Sequence, residues 1–150
     1  GPYSGVTAIE NFKYPVFSYL ISRLKAIPID RKNTRLAIQS IEKAEKVLND
    51  GIHIGILPEG SRTTTGKMRP LKKGGFHMAI NTKTSIIPVG ISGAFNFKPK
   101  NRWWFKPGPI TINIGDPIHH EEYTRLGING LSGRVEEKLE YLSGEHHEDR

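Results

Sequence analysis

Residues 25–57 read as strand, amphipathic helix, strand, an order that is the building unit of a mostly parallel sheet. Lys25-Ala26-Ile27-Pro28-Ile29-Asp30 is a short strand, and its internal proline marks a sheet edge or a strand end. Asn33 or Thr34 then caps a helix running to about Asn49. Ala37, Ile41, Ala44 and Leu48 line one face of that helix, Glu42, Lys43, Glu45 and Lys46 the other, and Gly51 closes it. An apolar strand at 52–57 follows at once.

Weaker signals surround this unit. Phe17, Leu20, Ile21 and Leu24 have helical spacing, which predicts a helix over 12–24 with Pro15 in its first turn. A short helix is expected at 74–81, a buried strand at 85–91, a half-buried strand at 110–114 and a terminal helix at 133–142. The 150 residues suit a single α/β domain, with a mostly parallel sheet flanked by helices. Gly1-Pro2 resembles the remnant of a removed tag, and 143–150, with His146-His147, reads as a disordered tail.

Composition narrows the chemistry. With no cysteine there is no disulfide framework, thiol nucleophile or thiolate metal site, in keeping with a reducing compartment. Lys+Arg 22 against Asp+Glu 15 gives a net charge of +7, which favours anionic partners: nucleic acid, phosphorylated small molecules or an acidic membrane surface. No apolar stretch approaches the roughly 20 residues of a spanning helix, and no signal peptide is visible.

The most informative segment is 57–75, where Pro58-Glu59-Gly60-Ser61-Arg62 leaves the end of the second strand. Lys67, Arg69, Lys72 and Lys73 follow, so one carboxylate stands among five cations. Cations, hydroxyls and backbone N–H groups gathered after a strand are what a phosphate-bearing ligand requires.

That run, continued by Gly66-Lys67-Met68 and Lys72-Lys73-Gly74-Gly75-Phe76, resembles the third signature block of the glycerolipid acyltransferases. Lys13-Tyr14-Pro15-Val16-Phe17 and Ala26-Ile27-Pro28-Ile29-Asp30-Arg31 resemble the second block and its approach, and Ile86-Ile87-Pro88-Val89 the fourth. Lys106-Pro107-Gly108 and Ile114-Gly115-Asp116-Pro117-Ile118 resemble the closing strand, so the likeness covers roughly residues 10–118. It implies transfer of a fatty acyl group from a thioester of coenzyme A or acyl carrier protein to the hydroxyl of a lysophosphatidate-type acceptor, in phospholipid synthesis. It implies no metal and no cofactor beyond that acyl co-substrate.

By the same resemblance, Arg31, Glu59, Gly60, Ser61 and Arg62 belong to the acceptor site, with phosphate as the main target. A guanidinium fork suits phosphate oxygens. Glu59 is expected to position Arg62 or to accept a hydrogen bond from the acceptor's hydroxyl, since like charges would keep it off the phosphate. Gly60 permits close backbone approach. Lys72 and Lys73 precede the 74–81 helix and add positive charge, with solvated surface lysines as the competing reading. Pro88 shapes the acyl-side wall, a structural role.

The family's general base is a His, oriented by an Asp five residues on, in a block ahead of the second. No His precedes His53, and neither His53, His77, His119 nor His120 is followed by Asp at that spacing. His77 is expected to pack, and no catalytic residue is assigned in this chain. The resemblance therefore implies an N-terminally truncated enzyme or a variant with little or no activity alone. The alternative is a non-catalytic lipid- or phosphate-binding module that keeps the acceptor pocket.

Residues 95–106 put five aromatics among four cations. They fit an anionic membrane surface, base stacking with phosphate contacts, or a loop packed on its own domain. With a lipid acceptor the first is preferred, giving a peripheral protein on the cytoplasmic side of the membrane. Acyl carrier protein is a further expected partner and nucleic acid is not, since no helix-turn-helix, RNP-type or zinc pattern occurs.

Overall fold

A computed structural model describes residues 2–9, 15–23, 26–30 and 33–144. Its contacts divide the chain into two compact units, one of Gly1–Pro58 with Gly74–Thr84 and one of Glu59–Lys73 with Ser85–Arg150. The α/β class expected from the sequence, with a parallel sheet and flanking helices, is the class the chain has.

The first unit holds β1 (Tyr3–Ala8), α1 (Pro15–Arg23), β2 (Ile27–Ile29), α2 (Thr34–Asn49), β3 (His53–Gly55) and α3 (Gly74–Thr82). The strands form one sheet in the order β2-β1-β3. Val6 faces Ile27 and Tyr3 faces His53, both pairings parallel. The strand–helix–strand unit is therefore present, but β2 and β3 are not neighbours: β1 lies between them. The sequence reading missed β1. Ser4, Gly5 and Ala8 give Tyr3–Ala8 little intrinsic strand preference, and its conformation comes from being paired on both edges. Pro28 lies in the edge strand β2, where a missing N–H does least harm.

Helix α2 begins as its cap predicts, with Asn33 Oδ1 accepting from the Leu36 N–H at 3.2 Å. Ala44 on its inner face is fully buried and packs with Ile27 and Met78, flanked by Val6, Ile41, Leu48 and Ile54. Ser40 Oγ donates to Pro28 O at 2.8 Å, tying α2 to β2, and Asn81 Nδ2 donates to Glu45 Oε1 at 2.8 Å, tying α3 to α2. Phe76, Met78 and Ala79 bury one side of α3, while His77 points outward, so the packing role expected of His77 is not what it has.

The second unit contains the 59–73 loop and β4 (Val89–Ser92), α4 (Ala94–Phe97), β5 (Thr111–Ile114), α5 (His120–Tyr123) and α6 (Gly127–Ser143). Strands β4 and β5 pair antiparallel, with Gly90 opposite Asn113 and Ile91 opposite Ile112. Helix α6 covers one face of this ribbon: Asn113 Nδ2 donates to Leu142 O at 2.7 Å, and a β-carbon on Gly90 would stand 2.4 Å from the Leu142 carbonyl carbon. Its other face leaves Val89, Ile91, Ile112 and Ile114 exposed. The strand expected to be half buried is thus exposed along its whole length, and the buried strand expected at 85–91 shrinks to β4 and a single bridge between Ile86 and Ile118.

Ile118, Tyr123, Leu131 and Val135 are the buried hydrophobics around α5 and α6. Burial, and secondarily the Glu121 charge, pushes the Tyr123 phenol above its ordinary pKa and keeps it neutral. Helix α6 starts earlier than the expected 133–142, because Gly127, Gly130 and Gly133 dilute the helical signal over its first turns. Ser143 and Gly144, expected in a disordered tail, are the last residue and the C-cap of α6; the rest of that expected tail lies outside the described residues.

Candidate functional site

The cation-rich segment lies in the second unit, and its shape comes from its own polar side chains. Thr63 Oγ1 accepts from the N–H groups of Thr65 and Gly66, each at 3.2 Å, and Thr65 Oγ1 accepts from Lys67 N at 3.3 Å. Such hydroxyl-to-amide bonds fold a short loop without help from a sheet. Glu59 closes the loop from its other end, with Oε2 accepting from the Arg69 N–H at 2.9 Å. The Arg69 guanidinium returns the link, donating through Nη1 to Ser61 Oγ at 2.7 Å. A carboxylate bonded to a backbone N–H is a strong, charge-assisted contact.

Glu59 therefore holds Arg69 and not Arg62, one of the two partners expected for it. Arg69 is the residue that sequence reasoning left unassigned: it was one cation among five, and nothing in the spacing reveals that its backbone and side chain bind opposite ends of the same tripeptide. Gly60, between them, adopts a φ of 72°, a left-handed conformation that other residues reach only with strain. A β-carbon there would stand 3.4 Å from Lys72 Cγ, so the Lys72 stem lies alongside Gly60.

The structure thus brings Glu59, Gly60, Ser61 and Lys72 together, with Arg62 exposed next in the chain. Among the described residues, no hydrogen bond or ion pair engages the side chains of Arg62, Lys67 or Lys72. Lys73 is turned away from them: its Nζ donates to Asn129 Oδ1 on α6 at 2.8 Å. Asn129 is a second partner that the sequence did not signal. Arg31 lies outside the described residues. Pro88 is buried, and its carbonyl accepts from Gly115 N at 2.9 Å, which holds the strand end in place.

What this loop can do chemically is hold an anion. Its backbone is fixed by internal bonds, so a guanidinium and ammonium groups stay available on a preorganised frame, and little order is lost on binding. Among the described residues of the second unit, no hydrogen bond or ion pair joins a histidine to this loop. His119 Nδ1 lies 3.0 Å from Ser85 Oγ, but the His119 side chain and Glu122 form the capping box of α5. Among the described residues, no three His, Asp or Glu side chains converge on a point that would hold a metal ion.

A parallel sheet flanked by helices, in a chain that also carries a cation-rich loop, defines an α/β protein with a candidate anion site. Comparison with known proteins makes this specific. The Acyltransferase family model matches residues 1–92. The 1-acyl-sn-glycerol-3-phosphate acyltransferase of Cocos nucifera is 36% identical over 117 residues, covering 77% of this chain and 38% of its own length. That of Pseudomonas aeruginosa is 32% identical over 136 residues, covering 90% of this chain and 52% of its own. The crystal structure of PlsC, the 1-acyl-sn-glycerophosphate acyltransferase of Thermotoga maritima, superposes with a TM-score of 0.81 at 25% identity, over 100% of this chain and 59% of that one. The chain belongs to the acyltransferase family, as the ordered sequence blocks implied. It spans about half the length, or less, of the curated relatives described here.

Proposed function

We propose that this chain supplies the acceptor-holding part of a 1-acyl-sn-glycerol-3-phosphate acyltransferase. Arg62 and Lys72 bind the acceptor's phosphate, assisted by Arg31 where the family motif places it. Gly60 lets that phosphate approach the backbone. Glu59 and Ser61 hold the loop in the binding conformation through Arg69, and Lys73 anchors it to α6 through Asn129. The acyl donor is a thioester of coenzyme A or acyl carrier protein, with Pro88 helping to shape the wall on the acyl side. Because the acceptor is a lipid, the chain works peripherally at the anionic, cytoplasmic face of a membrane; no described helix is long and apolar enough to cross one.

The observation that carries this reading is the Glu59–Arg69–Ser61 link. It fixes the loop without using Arg62 or Lys72, and so leaves both for a ligand. Acyl transfer needs a base to take the proton of the acceptor hydroxyl. The His and Asp that serve the family as base and orienting residue have no counterpart in this sequence. The chain alone is therefore expected to bind acceptor and to turn it over slowly or not at all.

Equilibrium binding with a short-chain, water-soluble lysophosphatidate tests the first statement, with the matching monoacylglycerol as the uncharged control. Preference for the phosphate form by about tenfold or more is expected, the scale of one charge-assisted contact. Equal affinity for the two would refute the phosphate reading. Thioester release from acyl-CoA in the presence of lysophosphatidate tests the second, and robust turnover would show that a base has been overlooked.

A further inference from the structure

We propose that residues 97–106 form a wedge that seats this chain on an anionic lipid surface. The idea deepens the lipid-acceptor reading by naming the surface that meets the membrane. The segment is tied at its neck, where Lys106 N donates to Phe97 O at 2.9 Å and the Phe97 and Phe105 rings lie 5.2 Å apart. Its central cation points inward. The Arg102 guanidinium donates to the carbonyls of Asn96 and Phe97, each at 2.7 Å, and to that of Trp104 at 3.1 Å. Lys98 Nζ donates to the carbonyls of Pro99 and Arg102.

Four carbonyls of the loop, and that of Asn96 just before it, are thus satisfied by the loop's own cations. Unsatisfied backbone polar groups are a main cost of bringing an irregular loop through the headgroups towards the hydrocarbon, where water becomes scarce. A loop that bonds its own carbonyls meets little of that cost. The surface it presents is apolar: Trp103 is 86% exposed, Trp104 51% and Phe105 63%. A loop packed on its own domain would bury these rings. Lys100 and Lys106 are exposed beside them and, among the described residues, their ammonium groups are unpaired. Tryptophan settles at the level of the headgroups, and lysines close to it attract anionic lipid.

A single-stranded nucleic acid would need open ring faces on which bases stack in parallel. Here Trp103 and Trp104 meet edge to face, 5.7 Å apart at 79°, and Arg102 lies over the Trp104 ring at 5.6 Å. The geometry favours insertion over stacking.

The chain's two tryptophans are Trp103 and Trp104, so selectively excited tryptophan fluorescence reports on this loop alone. The full chain is mixed with phosphatidylcholine vesicles containing about 30% phosphatidylglycerol, to supply anionic surface charge, and with vesicles of phosphatidylcholine only. We expect co-sedimentation and a blue-shifted emission with the anionic vesicles. The Lys100→Glu/Lys106→Glu double variant keeps both reporters and should partition at least about tenfold more weakly. Trp103→Ala, followed by sedimentation, should weaken binding in the same direction. Circular dichroism checks that both variants remain folded.

Sedimentation with unshifted emission would mean that another surface docks, and would overturn the proposal. So would absence of any vesicle binding, or a stronger response to oligo-dT than to anionic vesicles. Arg62→Ala separates the two readings. It should keep the vesicle-induced shift; if the wild-type chain shows that shift but fails to bind soluble lysophosphatidate, the acceptor reading alone has failed.

Discussion

In the 59–73 loop a carboxylate and hydroxyls bond the backbone, and the side chains of Arg62, Lys67 and Lys72 are left without a partner among the described residues. In the 97–106 loop two cations, Lys98 and Arg102, themselves bond the backbone, and Trp103, Trp104 and Phe105 are exposed. Both segments are basic, both lie in the second unit, and Gly66 of the first sits against the Phe95 ring at the approach to the second. The difference follows from what else each carries. The first has Glu59, Ser61, Thr63 and Thr65 to accept from its N–H groups. Residues 97–106 contain no acid, serine or threonine, so the donors of Arg102 and Lys98 turn to the backbone carbonyls around them. A surface arginine is open to a ligand only where something else has already satisfied the loop that bears it.

The sharpest way to disturb one loop without touching the other is at the ribbon that carries the second. Gly90→Ala puts a β-carbon against the α6 backbone at Leu142, which cannot move aside as a side-chain tip can. Loss of about 3 kcal/mol is expected in urea unfolding, at the upper end for overpacking. Next in size is Arg102→Ala, which takes their guanidinium donor from the Asn96 and Trp104 carbonyls and one of two donors from Phe97 O; a loss of about 1–2 kcal/mol should accompany a change in tryptophan emission. Arg62→Ala, with no described bond to lose, should unfold at the wild-type midpoint. Equal destabilisation by the two arginine variants would break the contrast between the loops.

Within the first loop, Glu59→Ala should cost about 1 kcal/mol by freeing the Arg69 N–H. Arg69→Ala should cost less, because it keeps the backbone bond to Glu59 and loses only the exposed link to Ser61. The reverse order, measured by the same denaturant titration, would show that the Arg69 guanidinium and not the Glu59 carboxylate holds the loop closed.

Much of this was legible in the chain. Helix α2 carries its cap, its apolar face and its closing glycine locally, so Asn33, Ala44 and Gly51 serve as their residue types suggest. The Pro58–Gly75 run marked the candidate site and, with the other blocks, the family. What stayed hidden depends on partners distant in sequence. Strand β1 owes its conformation to β2 and β3, the exposure of β5 to the side on which α6 packs, and the position of Lys73 to Asn129. The role of Arg69 was hidden for another reason: residue type does not tell whether a cation serves its own backbone or a ligand.

The central claim is that Arg62 is kept free by the Glu59–Arg69–Ser61 link in order to bind the acceptor's phosphate. Calorimetric titration of short-chain lysophosphatidate into the wild-type chain and into Arg62→Ala tests it most directly, with circular dichroism confirming that both are folded. We expect the variant to bind at least about tenfold more weakly, as loss of a guanidinium–phosphate contact requires. Unchanged affinity in a folded Arg62→Ala chain would contradict the account.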